Sequence, residues 1–469
     1  MRRNRRRLLL AFVVLLAAAA AAYFVFSREE RLDPRFNGAY RLEDGRLVFV
    51  SAREGKTLRY RLMNGESRAL WPAGDRRYEA GPGWSGRSPV EVRVAFDPLG
   101  PDRLCPGLSW EAAKSGSQRA RRIELPEEVF TFASGALQLR GKLVRPQGEG
   151  PFPAVVLVHG SGRESAADGY FNPYLFAAFG IATLVYDKRG TGESAGEYTQ
   201  NFHVLARDVL AAVEWLRARP EIDATRIHLA GYSQGGWIAP LAASKTSGIR
   251  SLLIGYGPMV PVTGEDRWGY VYALKQKGFG EDAIRKADRI NEQIEAIFDH
   301  RQDRWKEISR LLDESRGEPW FEAVKGSDSI LGEVSESWMP LWVMRLLLWW
   351  RQRGSGEPFI DRLYDPVPTL DSLTTTPSLW IFGGEDNSMP TGWTVEKLEA
   401  LQAKGRPVEF FTFPRADHGI LRFEETPEGR RILGHEPEYL PMMVDWLRRQ
   451  SDLPPLAASS SLQLPASEG

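Results

Sequence analysis

A single cysteine, Cys105, in 469 residues excludes any internal disulfide, so the core must hold without covalent cross-links. Exported proteins can also lack disulfides, so this scarcity assigns no compartment. Net charge is absent too: Lys plus Arg and Asp plus Glu each number 61, for a formal net charge of zero. That balance argues against a nucleic-acid binder, and the ordinary apolar content argues against a disordered chain. No H-E-x-x-H or comparable metal-ligand spacing occurs. At 469 residues the chain exceeds one ordinary domain, and two or three units are expected.

The N-terminus holds an uncharged apolar run from Leu8 to Phe26, close to the roughly 20 residues a helix needs to cross a bilayer. Five arginines precede it within the first seven residues, which would keep that end in the cytoplasm. Residues 1–27 are therefore expected to be a membrane anchor or a signal peptide. Small residues at Ala20 and Ala22 could serve a peptidase, but Tyr23-Phe-Val-Phe continues the run beyond them, which favours the anchor. The expectation is a cell-membrane protein with its catalytic part extracytoplasmic, or a secreted one if the segment is cleaved.

Residues 33–125 read as a small β-rich accessory domain. Ala39-Tyr-Arg-Leu, Arg46-Leu-Val-Phe-Val and Thr57-Leu-Arg-Tyr-Arg-Leu are strand-like, with turn residues at Glu43-Asp-Gly and Met63-Asn-Gly. Gly81-Pro-Gly, Asp97-Pro and Gly100-Pro then break the chain repeatedly. The segment holds no ligand cluster or repeat, and it is too short for a propeller.

From about Glu127 the pattern becomes α/β. Two lead-in strands come before Pro153-Ala-Val-Val-Leu-Val-His-Gly. Ile181-Ala-Thr-Leu-Val-Tyr-Asp, the strand at Ile227 and Ser251-Leu-Leu-Ile-Gly follow, alternating with helices near Tyr174 and from Phe202 to Arg219. Such alternation implies a mostly parallel sheet with helices on both faces. It stops at Pro258 and resumes near Thr376, so 127–257 and 376–450 are expected to form one core with 258–375 inserted as a helical cap. The insertion is polar and helical from Asp282 to Asp313, and Trp338 to Trp350 then carries four tryptophans in a run too interrupted to span a membrane. Residues 451–469 read as a disordered tail.

The chemistry centres on Gly231-Tyr232-Ser233-Gln234-Gly235, a G-x-S-x-G turn between an apolar strand and a helix. A serine at such an apex needs small residues two positions either side, and a base to take its proton. Of six histidines, His418 in Arg415-Ala-Asp-His-Gly lies just past the last apolar strand and is the candidate base. His159 belongs to another motif, His228 lies within the elbow strand as a packed core residue, and His203, His300 and His435 have no companions. The acid should follow the preceding strand, where Gly383-Gly-Glu-Asp-Asn-Ser places Asp386, with Glu385 as runner-up and Asp417 disfavoured by adjoining His418. The oxyanion donors should be the backbone N–H groups of Gln234 and of Ser161 in His159-Gly-Ser-Gly-Arg, with Gly160 and Gly162 easing the approach.

His159-Gly-Ser-Gly, Asp187-Lys-Arg-Gly-Thr-Gly-Glu-Ser, the elbow, Gly383-Gly-Glu-Asp and Asp417-His-Gly together resemble the α/β-hydrolase superfamily over roughly residues 127–450. Within it the chain is most similar to bacterial cap-bearing serine esterases related to prolyl oligopeptidases. The resemblance implies an α/β-hydrolase fold, no cofactor, a small-molecule ester as substrate and a chiefly structural part for Asp187-Lys-Arg-Gly. The expected activity is a carboxylesterase working on short or medium acyl chains through an acyl-serine. A peptidase or thioesterase on the same triad is the alternative, and a non-catalytic binding protein on a hydrolase scaffold is the reading from another class.

Overall fold

The computed structural model describes residues 34–53, 57–101, 103–113, 116–298, 304–337, 343, 359–427 and 429–456. Its first unit is a closed antiparallel barrel of eight strands. They are β1 (Gly38–Leu42), β2 (Leu47–Arg53), β3 (Thr57–Leu62), β4 (Ser67–Gly74), β5 (Arg77–Ala80), β6 (Val92–Phe96), β7 (Gly107–Ala112) and β8 (Gly116–Arg122). β1 closes the barrel against β8, with Tyr40 opposite Arg122 and Leu42 opposite Ala120. Closure removes both sheet edges, which in an open β-sheet would be exposed to pairing with other chains. Alternate side chains such as Tyr40, Val48, Tyr60, Leu70, Val94 and Trp110 fill its own core.

The second unit is an eight-stranded sheet built from β9 (Glu127–Ser134), β10 (Leu137–Val144), β11 (Phe152–Val158), β12 (Ala182–Tyr186), β13 (Ile222–Tyr232), β14 (Ile249–Gly255), β15 (Ser378–Gly383) and β16 (Val408–Phe413). Across the sheet the order is β9-β10-β12-β11-β13-β14-β15-β16. The β9–β10 pair and the β10–β12 pair are antiparallel, and the rest are parallel. A parallel sheet must be covered on both faces, and the strands are apolar on both sides accordingly. On β11, Ala154, Val156 and Val158 face a core completed by α2 (Phe202–Arg217), α3 (Gly235–Ala243) and α9 (Thr391–Ala403). Val155 and Leu157 face the opposite core, with α1 (Asn172–Ala178) and α10 (Tyr439–Gln450).

That second core also takes in Ala39, Leu47 and Phe49 from the outer side of the barrel, so the two units share buried apolar surface. A small antiparallel sheet of β17 (Ala416–Asp417), β18 (Leu421–Thr426) and β19 (Gly429–His435) reaches the barrel as well. The His435 N–H donates to the Gly65 carbonyl at 2.8 Å, and the Trp84 N–H to the Ile432 carbonyl at 2.8 Å. Gly65, at φ +82° in its hairpin, admits this docking because a Cβ there would lie 2.4 Å from the His435 carbonyl.

Between β14 and β15 the chain forms α4 (Val262–Gln276), α5 (Glu281–Phe298), α6 (Trp305–Ser315), α7 (Pro319–Val324) and α8 (Ile330–Glu336). Tyr270, Leu274, Ile290, Ile294 and Leu311 give this insertion a core of its own. The tryptophan run expected over Trp338 to Trp350 lies outside the described residues save for position 343, and so does the tail beyond Leu456.

The expectation of a membrane protein is corrected. Among the described residues no helix is long and apolar enough to cross a membrane. The 18-residue α5 has the length, but it is amphipathic and studded with Glu, Asp, Arg and Lys. Residues 1–27, on which the expectation rested, lie outside the described residues.

Candidate active site

β13 runs straight into Ser233, whose φ of +52° lies in the left-handed region that costs a non-glycine residue about 1 kcal/mol or more. The turn is tied down by the Ser233 N–H to the Gly255 carbonyl at 3.0 Å and the Gly236 N–H to the Ser233 carbonyl at 2.7 Å. α3 then starts at Gly235. A Cβ on Gly231 would sit 2.4 Å from the Gly235 carbonyl oxygen, and one on Gly235 only 2.0 Å from that of Val158. Neither position can carry a side chain without unmaking the turn.

Three expected residues meet at this apex. The His418 Nε2 lies 3.2 Å from the Ser233 Oγ, and the His418 Nδ1 lies 2.9 Å from the Asp386 Oδ2. Asp386 is fully buried past the end of β15, and its Oδ1 accepts the backbone N–H groups of Ser388 at 2.9 Å and Met389 at 2.8 Å. The runner-up acid, Glu385, is partly exposed and faces Arg430 at 3.6 Å. Asp417 accepts its neighbour's N–H and pairs with Arg430 at 2.8 Å, away from the imidazole. His228 is buried in the core between the hydroxyls of Ser251 and Ser451, and burial pushes its imidazole down to about 3.

Gln234 follows the serine in sequence, and Ser161 follows Gly160, which approaches the serine from the β11 loop. Among the described residues neither backbone N–H finds an acceptor. Gly160 lies so close that a Cβ on it would be 3.3 Å from the Ser233 Cβ and 3.8 Å from its Oγ. An open pair of donors beside a hydroxyl is what stabilises an oxyanion.

Sequence reasoning missed Glu265, at the start of α4 in the cap. It sits in a run of charged residues, where a solvated helix face is the default, and only the folded-back cap turns it toward the triad. On the same helix the Trp268 indole N–H donates to the Asp386 carbonyl at 3.2 Å. Burial pushes the Glu265 carboxyl up to about 8, against the opposing pull of His418. Burial alone would lower the His418 imidazole, but Asp386 holds it above its ordinary value. A general base works in its neutral form, so activity should rise as pH climbs through that value. Below about pH 8 the Glu265 carboxyl is mostly protonated, so Glu265→Gln exchanges one neutral group for another of the same shape. It is expected to leave the acid limb of the kcat/KM profile in place, and a limb moved by about one pH unit would contradict this.

Beside His418 a cleft of about 350 Å³ opens between the barrel and the sheet. Arg61 and Trp84 from the barrel line it together with His159, Phe171 and Tyr256. Tyr256 packs edge-on against the His418 ring at 4.8 Å. Among the described residues no group of three or more His, Cys, Asp or Glu side chains could hold a metal ion.

The sequence profile of the alpha/beta hydrolase family matches residues 155–430, a stretch that takes in the elbow, Asp386 and His418. The chain belongs to the alpha/beta hydrolase family. Among its relatives is esterase EstD of Thermotoga maritima, 32% identical over 163 residues that cover 32% of this chain and 39% of that one. Esterase FrsA of Klebsiella pneumoniae subsp. pneumoniae is 29% identical over 226 residues, covering 46% of this chain and 50% of its own. The matches thus span half or less of these two esterases. Thiohydrolase aneE of Aspergillus aculeatus is 26% identical over 302 residues, covering 63% of this chain and 87% of its own. Among solved structures, the acylaminoacyl peptidase of Pyrococcus horikoshii aligns with 87% of this chain and 57% of its own at 17% identity and a TM-score of 0.42.

Proposed function

We propose that this protein is a hydrolase, a serine carboxylesterase acting through an acyl-enzyme. The observation that carries the reading is the continuous relay from the Ser233 Oγ through the His418 ring to the Asp386 Oδ2, with contacts of 3.2 and 2.9 Å. His418 takes the hydroxyl proton as Ser233 attacks the ester carbonyl, Asp386 orients the imidazole, and the oxyanion forms against the N–H groups of Gln234 and Ser161. The proton then passes from His418 to the leaving alcohol, and water reverses the sequence to free the acid.

Ester specificity is supported by the relatives named esterases, and the small acyl group by the size of the cleft. At about 350 Å³ it lies near the lower end of the roughly 300–1,000 Å³ typical of small-molecule sites. Thioester cleavage is a second reading, favoured by the thiohydrolase relative that aligns over most of its length. The test compares kcat/KM on p-nitrophenyl esters of graded acyl length, acyl-CoA thioesters and aminoacyl anilides. Short and medium esters should be turned over fastest, by at least about tenfold. Faster anilide cleavage would make the enzyme a peptidase, and faster CoA thioester cleavage a thioesterase.

A further inference from the structure

Lys188 follows β12 by two residues and is only 2% exposed. A buried ammonium is strongly disfavoured unless it is paired or fully hydrogen-bonded. Among the described residues no carboxylate lies within ion-pair reach of it. Its Nζ donates instead to the Gly160 carbonyl at 2.5 Å and to the Gln234 Oε1 at 3.0 Å. These acceptors belong to the two segments that carry the Ser161 and Gln234 N–H groups.

The geometry has a direct consequence. In a planar trans peptide the C=O and N–H point in opposite directions, so holding the Gly160 carbonyl fixes where the Ser161 N–H points. The next carbonyl along, that of Ser161, is held by the Tyr198 hydroxyl at 2.5 Å. Gln234, the residue bearing the second donor, is held through its side chain by the same ammonium. A cation on a peptide oxygen also polarises that peptide and makes its N–H a stronger donor.

We propose that Lys188 is the positioning residue of the oxyanion site, tying the Gly160–Ser161 peptide and Gln234 into one rigid pair of donors. This rests on the serine-hydrolase reading above and adds to it the residue that holds its electrophilic half in place.

The charge needed for this titrates in an accessible range. Burial pushes Lys188 down to about 7, opposed only by Glu164 in the neighbouring loop. Facing it besides are His159, kept neutral by burial and by the charge of Lys188, and the Tyr198 ring at 5.6 Å, on which Arg163 also stacks. The ammonium is present at low pH and lost as pH rises, the reverse of the requirement on His418. The kcat profile should therefore carry an alkaline limb that belongs to Lys188.

The test measures kcat and KM on p-nitrophenyl butyrate from about pH 5 to about pH 10. It uses wild type, Lys188→Met, Lys188→Arg and Ser233→Ala, with active sites counted by fluorophosphonate labelling. Loss of one oxyanion donor costs roughly 10²–10³ in kcat, so Lys188→Met should lose about 100-fold per labelled site with KM within about twofold. Lys188→Arg keeps a charge that does not titrate, so it should stay within about tenfold of wild type and lose the alkaline limb. A lysine that only supported the fold would lower the number of labelled sites and leave kcat per site unchanged, which overturns the proposal. A wild-type profile flat on the alkaline side overturns it without any variant. Wild type no more active than Ser233→Ala would instead sink the serine reading, and this inference with it.

Discussion

Ser233→Ala is expected to lower kcat by at least about 10⁴-fold while leaving the thermal unfolding midpoint nearly unchanged. The two halves of that result have separate causes. The hydroxyl's hydrogen bond is the 3.2 Å contact with His418, so its removal strands no buried donor and opens no core cavity. Alanine also tolerates the +52° φ no worse than serine does, and the elbow's backbone ties at Gly255 and Gly236 do not involve the side chain. Changes of this kind stay within about 0.5 kcal/mol of the parent stability. Catalysis has no such reserve, because no other hydroxyl lies at the Nε2 of His418 among the described residues. The check pairs turnover with fluorophosphonate labelling. Wild type should label and Ser233→Ala should not, and a variant that keeps a tenth of the activity would remove the serine from the mechanism.

The elbow was readable because everything it needs is local. Five consecutive residues, an apolar strand before them and a helix after them specify the turn, and the glycines mark where Gly235 and Val158 crowd together. Asp386 and His418 were readable for a related reason: each follows an apolar strand of a parallel sheet, where functional side chains collect. What stayed hidden is set by contacts distant in sequence. The barrel's closure joins β1 to β8 across some eighty residues, and Gly-Pro breaks between its strands read as loop. The β18–β19 hairpin gives no strand signal in the sequence because Arg-Phe-Glu-Glu and Arg-Arg-Ile-Leu show little apolar alternation. Its strands pair through Glu424 with Arg431 and Glu425 with Arg430 across the ladder. Glu265 and Lys188 are the same lesson at the site. Charged residues default to solvent in a sequence, and only the cap and the β12 turn bring these two inward.

Asp386→Asn should cost about as much as losing the base, roughly 10⁴-fold in kcat, although the side chain keeps its size and burial. The reason lies in how the carboxylate is held. Its Oδ1 already accepts two backbone N–H groups, from Ser388 and Met389 at 2.9 and 2.8 Å. An asparagine must keep its oxygen there, since turning the amide around would set an NH₂ group against two N–H donors in a buried site. The NH₂ then faces the His418 Nδ1, where the wild type presents an acceptor 2.9 Å away. An imidazole that accepts at Nδ1 carries its proton on Nε2, the nitrogen 3.2 Å from the Ser233 Oγ. In that tautomer His418 has no lone pair to offer the hydroxyl and cannot act as base. The His418 imidazole also loses its chief source of elevation, so the acid limb of the residual activity should fall to lower pH. Kinetics across pH on Asp386→Asn, with Glu385→Gln beside it as control, check both parts. The control should stay near wild type, because Glu385 faces Arg430 rather than the imidazole. If Glu385→Gln were the damaging change and Asp386→Asn the mild one, the acid of this triad would be the wrong carboxylate.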